Sequence, residues 1–108
     1  MKYKVKIVRA VAANHASYTS EIISQVRTLW PDPIERSQVA EALSAINAMI
    51  DDLDLVLNRN TTTKGDMLHR KYSDAYSELH IYNINGTKEI LTISFEPIQS
   101  TYQTNSAI

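Results

Sequence analysis

Along residues 2–7 apolar and charged side chains alternate, Tyr3, Val5 and Ile7 standing between Lys2, Lys4 and Lys6. That period of two predicts a strand with one wetted face. The pattern breaks at AANHAS and resumes with a helical period. Thr19 can cap a helix whose first turn holds Glu21, and Ile22, Ile23, Val26, Leu29 and Trp30 form its apolar stripe until Pro31 ends it. Asp32-Pro33-Ile34-Glu35 then reads as a second helix start, with Asp32 as cap, Pro33 in the first position and Glu35 reaching back.

Val39, Leu43, Ile46, Ile50, Leu53 and Leu57 follow at alternating steps of four and three, one side of that second helix, widened by Ala42 and Met49. Asp51, Asp52 and Asp54 crowd its end, where the helix dipole disfavours carboxylates. Leu53, Leu55 and Leu57 also alternate as a strand would, so a strand at 53–58 is the alternative. No Gly, Pro or Asn stands at Asp51-Asp52 to make the turn that this strand requires. The spacing therefore predicts a helix from 33 to about 56.

Residues 58–76 are polar and turn-rich and read as a long loop, either functional or mobile. SELHIYNINGTKEILTISFEP then gives two strands about Asn85-Gly86, a strong hairpin signal. A two-residue Asn-Gly turn would oppose Leu79 to Thr92. A shift by one residue instead gathers Leu79, Ile81, Leu91, Ile93 and Phe95 on one face, so a three-residue loop with Gly86 at a bulge is expected. The order strand, helix, helix, hairpin defines an α+β two-layer sandwich, two helices on one face of a small, mostly antiparallel sheet. Residues 1–98 form the single domain of this reading, and 99–108 a flexible tail.

Composition narrows the class. The chain has 108 residues, 44% hydrophobic and 21% charged, as in an ordinary globular domain. Cysteine is absent, which excludes disulfides and thiolate metal sites. The lysine-studded N-terminus has no h-region of a signal peptide, and no apolar run approaches the ~20 residues that span a bilayer. A cytoplasmic protein without membrane attachment is expected.

The net charge of −1 conceals blocks. Lys2, Lys4, Lys6 and Arg9 make the start basic, residues 11–57 are acidic, and Arg59, Lys64, Arg70 and Lys71 face only Asp66 within 58–72. With His69 and Tyr72 these four bases form a candidate anion or nucleic-acid contact, since cations stabilise phosphate charge and imidazole or phenol moves protons. They are equally the ordinary surface bases of a solvated loop. The element order is similar to that of the compact endoribonuclease toxins of toxin–antitoxin pairs. That likeness is of topology, without a residue motif, and the charge balance departs from their strongly basic character.

The lysine row could track phosphates, or protect an edge strand from aggregation. The three aspartates lack the spacing and central glycine of an EF-hand loop, and His15, His69 and His80 have no metal-ligand spacing. No metal or cofactor is expected, and no residue is assigned a catalytic role. With Leu79 and Ile81 turned to the helices, His80, Tyr82, Ile84 and Ile90 point outward, an apolar and aromatic group on an exposed face. The leading expectation is thus a small non-enzymatic interaction or regulatory protein that binds another protein, as a homodimer, through this face. The alternative is a nucleic-acid-binding or RNA-cleaving module that uses the basic loop 59–72.

Overall fold

A computed structural model describes residues 1–59 and 65–98. The opening alternation becomes β1 (Lys2–Val11), with Tyr3, Val5 and Ile7 half-buried between exposed lysines. The first helix, α1 (Ser20–Leu29), follows Thr19 at its N-cap and stops before Pro31, burying Ile22, Ile23 and Val26. A two-residue strand, β2 (Ile34–Glu35), leads into α2 (Arg36–Arg59). Then come β3 (Met67–Tyr72), β4 (Tyr76–Asn83) and β5 (Gly86–Pro97). The five strands form one sheet in the order β2-β1-β5-β4-β3, each neighbouring pair antiparallel. Both helices pack on one of its faces, which makes the α+β two-layer sandwich.

The core is the meeting of two apolar stripes. Val39, Ala42, Leu43, Ile46, Ile50 and Leu57 of α2, with the three buried residues of α1, cover Leu79, Ile81, Leu91, Ile93 and Phe95 of the hairpin. Burial of each large aliphatic side chain contributes ~1.5–3 kcal/mol, so this contact dominates the stability. Trp30 closes one end edge-to-face on Phe95, with ring centroids 6.0 Å apart.

Helix α2 runs unbroken through DDLD, and no strand forms at 53–58. The three aspartates lie before its last turn and two have partners. Asp51 receives the Arg70 guanidinium, and Asp54 accepts from Asn58 Nδ2 at 3.0 Å. The carboxylate nearest the sheet is therefore a bridge to β3 rather than a dipole penalty.

Three local expectations are corrected. Helix α2 begins at Arg36, not Pro33, because Ile34 and Glu35 pair with Tyr3 and Lys2 to close the sheet edge. The Lys2 ammonium sits 2.8 Å from Glu35 and holds its carboxyl below the usual range. The helix-start bond is consequently made further along, where Glu35 N–H donates to Gln38 Oε1 at 2.9 Å.

The hairpin turn is the two residues Ile84-Asn85, not the expected three-residue loop with Gly86 at a bulge, and Gly86 pairs with Asn83. Asn83 Oδ1 accepts the Asn85 N–H at 2.8 Å, and Gly86 adopts φ +121°, where a side chain would be strained. The bulge lies at Lys88: Tyr82 opposes Thr87 while Ile81 opposes Glu89. The register beyond it, Leu79 against Leu91, still gathers the apolar set on one face as the pattern requires.

The third correction concerns the proposed loop 58–76, of which Met67–Tyr72 is a strand. Residues 60–64, including Lys64, and the expected tail 99–108 lie outside the described residues. The alternation in β3 is easily missed because one inward position is Arg70. Its guanidinium reaches across to α2, pairing with Asp51 and donating from Nη2 to the Asn47 carbonyl at 3.0 Å. Asn47 in turn accepts from Ser77 Oγ at 2.7 Å, so polar contacts fasten this end of the sheet to the helix.

Arg70→Ala should therefore loosen β3. Loss of charge-assisted bonds from a mostly buried group should lower stability by ~1–3 kcal/mol. Urea unfolding measures the loss, and faster amide exchange confined to β3 would locate it.

Candidate functional site

The face of the sheet opposite the helices is uncovered by any element among the described residues. Strand parity sends Lys4, Lys6, Val8 and Ala10 of β1 to it, with Ile90, Thr92 and Ser94 of β5. Tyr76, Glu78 and His80 of β4 and Met67, His69 and Lys71 of β3 complete it. The register aligns these into rows. Ala10, Ile90, His80 and His69 form one row across four strands, and Val8, Thr92, Glu78 and Lys71 form the next. On the other side, Met67 opposes Tyr82. An apolar band of Val8, Ala10, Ile90, Tyr82 and Met67 thus crosses the outer face, with the two histidines beside it.

Exposure within the band is graded. Ile90, His80 and Tyr82, on the inner strands, are half-buried by neighbours, whereas Val8 and Met67 are exposed. Ile84 is fully exposed, but at the turn rather than on the sheet face. Charges of both signs border the band: Lys6 lies 3.5 Å from Glu96, and His80 Nε2 lies 3.3 Å from Glu78. Of the residues named from sequence, His80, Tyr82 and Ile90 share this face, and Ile84 sits at its corner. Val8, Ala10 and Met67 escaped notice because β1 and β3 had no assigned neighbours until the sheet order was known.

The candidate cation cluster is divided by β3. His69 and Lys71 join the outer face, while Arg70 and Tyr72 belong to the inner parity. Arg70 is held between Asp51, Asn47 and the Tyr72 ring, whose centroid lies 5.3 Å from the guanidinium carbon. It is a structural cation, already neutralised. Lys64 and the Arg59 side chain lie outside the described residues.

One buried group was not anticipated. Glu89 shares inward parity with Leu91 and Ile93 and is 0% exposed. The segment 12–19, in which AANHAS was read as a break in pattern and Thr19 as a helix cap, supplies its donors. Ser17 Oγ and Thr19 Oγ1 each donate to Oε1 at 2.5 Å, Thr19 N–H reaches the same oxygen at 3.2 Å, and Tyr18 N–H reaches Oε2 at 2.9 Å. The Thr19 hydroxyl therefore does not cap α1. Asn14 takes the left-handed conformation, φ 63°, that lets this segment turn.

Burial pushes the Glu89 carboxyl up, but the hydroxyls of Ser17 and Thr19 and the two backbone donors outweigh it and hold it below its ordinary 4.5. His15 Nε2 lies 3.6 Å from Glu89 Oε2 and has no hydrogen-bond partner among the described residues. Arg9 donates to Ser17 Oγ at 3.1 Å and Ser20 Oγ at 3.0 Å, tying β1 to the same network. A second carboxylate closes the other side: Asp66 accepts from Tyr18 Oη and Asn83 Nδ2, both at 2.7 Å. That bond, with burial and the nearby negative charges of Asp66 and Glu89, pushes the Tyr18 phenol up to about 12. Parity alone could have found Glu89: with Leu91 and Ile93 inside, the residue two before Leu91 must be inside too.

Compared with protein-family models, curated proteins and solved structures, the chain matches none. No helix among the described residues is long and apolar enough to cross a membrane.

The Glu89 network sets an acid limit on stability. Its native pKa lies below the unfolded value, so its contribution is complete above the ordinary 4.5 and is lost as pH falls through the lower native value. Glu89→Gln should cost ~1–3 kcal/mol at neutral pH, because an amide N–H₂ then meets donors. Urea titrations between neutral and acid pH should show the variant's deficit shrinking as the native protein's carboxylate is protonated.

Proposed function

We propose that this domain is a non-enzymatic interaction protein that binds protein through its outer sheet face, beginning with a second copy of itself. The observation that supports this most is the band of Val8, Ala10, Ile90, Tyr82 and Met67 on a face that no described element covers. An apolar strip with charges at its borders is the usual composition of an interface core and rim. Two such sheets packed face to face, ~10 Å apart, would bury both bands. The border suits self-pairing because it carries Lys4, Lys6 and Lys71 as well as Glu78 and Glu96, so a twofold arrangement can oppose unlike charges.

The nucleic-acid reading finds less support. It draws on a cation cluster whose Arg70 is turned inward to Asp51, while the outer lysines are interleaved with carboxylates. The buried carboxylate Glu89 has its oxygens occupied by donors.

Tyr82→Glu should convert a dimer to monomer with the far-ultraviolet circular dichroism unchanged. Sedimentation equilibrium of the unmodified chain supplies the control. If that chain is already monomeric at high concentration, self-pairing is wrong, and a shift of labelled RNA at moderate salt would favour the nucleic-acid alternative instead.

A further inference from the structure

The opposite side of β1 carries a second feature. The Lys2 carbonyl accepts from Ile98 N–H at 3.0 Å, and Ala12 N–H donates to the Lys88 carbonyl at 2.8 Å. Both bonds point toward β5, and the register between them is unbroken from Tyr3 opposite Pro97 to Val11 opposite Glu89. In an extended strand the N–H and C=O of one residue point to the same side and successive residues alternate. Even-numbered residues of β1 therefore face β5, and Val5, Ile7 and Arg9 direct their backbone groups away from it. On that side β2 pairs only with Lys2 and Tyr3. Among the described residues, the backbone edge formed by Val5, Ile7 and Arg9 has no strand beside it.

This edge borders a groove. Two depressions sharing Arg27 run between β1 and α1, one lined in part by Val5, Ile7 and Trp30, the other by Arg9 and Ile23. An open strand edge alongside a helix, with apolar positions at alternating depth, is the geometry by which extended peptides add to a sheet. The groove also has a sign. Every charged residue in its lining is a lysine or arginine, and no carboxylate lines either depression.

We propose that the β1 edge is a docking site for an extended, acidic segment of another protein, which adds to the sheet as a sixth strand beside α1. Backbone pairing to Val5, Ile7 and Arg9 supplies the register, alternate apolar side chains enter the groove, and carboxylates meet Arg9 and Arg27. The lysines on β1 select against a second basic strand and so against edge-to-edge self-association. This surface meets the outer face at Lys4, and its occupation does not require the dimer.

The test uses the full chain, isotope-labelled for amide exchange, and a blocked octapeptide of alternating Glu and Val. The acidic peptide should bind and slow exchange at Val5, Ile7 and Arg9, whose amides have no strand beside them among the described residues. The same peptide with alternate backbone nitrogens methylated, and a Lys-Val counterpart, should fail to do so. Arg27→Glu on the exposed side of α1 should weaken binding at least roughly tenfold, while Tyr82→Glu leaves it unchanged. The proposal is overturned if the acidic peptide does not bind, or if it binds without added protection at those three amides. It is equally overturned if those amides become protected with rising protein concentration and no peptide, since a second copy then occupies the edge.

Discussion

Everything in this domain depends on the register between β4 and β5. With Leu79 opposite Leu91 and Ser77 opposite Ile93, one face of the hairpin is apolar and α2 has a surface to cover. A slip of one residue would turn Leu79 and Ile81 toward solvent on one strand while leaving their partners inside, and no packing could recover both. The bulge at Lys88 makes the adjustment, since the turn at Ile84-Asn85 alone sets a register one residue away from the apolar one. The same adjustment fixes what lies on the other face, where Ile90 stands beside His80.

The register also carries a cost that the structure offsets. It sends Glu89 inward with the aliphatic residues, and an isolated buried carboxylate would be expensive. The segment between β1 and α1 supplies four donors, so the charge becomes a point of attachment rather than a defect. Arg9 fastens that segment to β1, and the Tyr18 contact with Asp66 and Asn83 fastens it to the start of β3 and the hairpin. A stretch with no hydrophobic period is thereby held by polar contacts to three strands. Arg70 does the equivalent at the opposite edge, joining β3 to Asp51 and Asn47 of α2.

With the helices covering one face, the two surfaces proposed for partners, the outer face and the β1 edge, differ in kind. The outer face offers side chains: an apolar band with both signs of charge around it, suited to another sheet. The β1 edge offers backbone, with a groove of one sign beside it, suited to a single extended segment. A chain that paired through the first and received a strand at the second would bring two copies of its partner together.

The helices, the first strand and the hairpin were legible because each rests on local periodicity, which the side-chain geometry of helix and strand imposes whatever the neighbours are. Val39 to Ile50 read as one stripe of a helix, and beyond it, where a strand at 53–58 fitted as well, the missing turn at Asp51-Asp52 favoured the helix that the structure has. What the tertiary structure decided were the features whose reasons lie far along the chain. Ile34 and Glu35 are extended because β1 pairs with them, not through their own preference. Met67–Tyr72 is a strand because β4 offers an edge and α2 offers Arg70 a carboxylate. The outer face was half visible, since parity within the hairpin exposed His80, Tyr82 and Ile90, whereas Val8 and Met67 joined them only through the sheet order. Burial of Glu89 followed from parity, but its donors came from residues about seventy positions earlier, a proximity that only the closed fold creates.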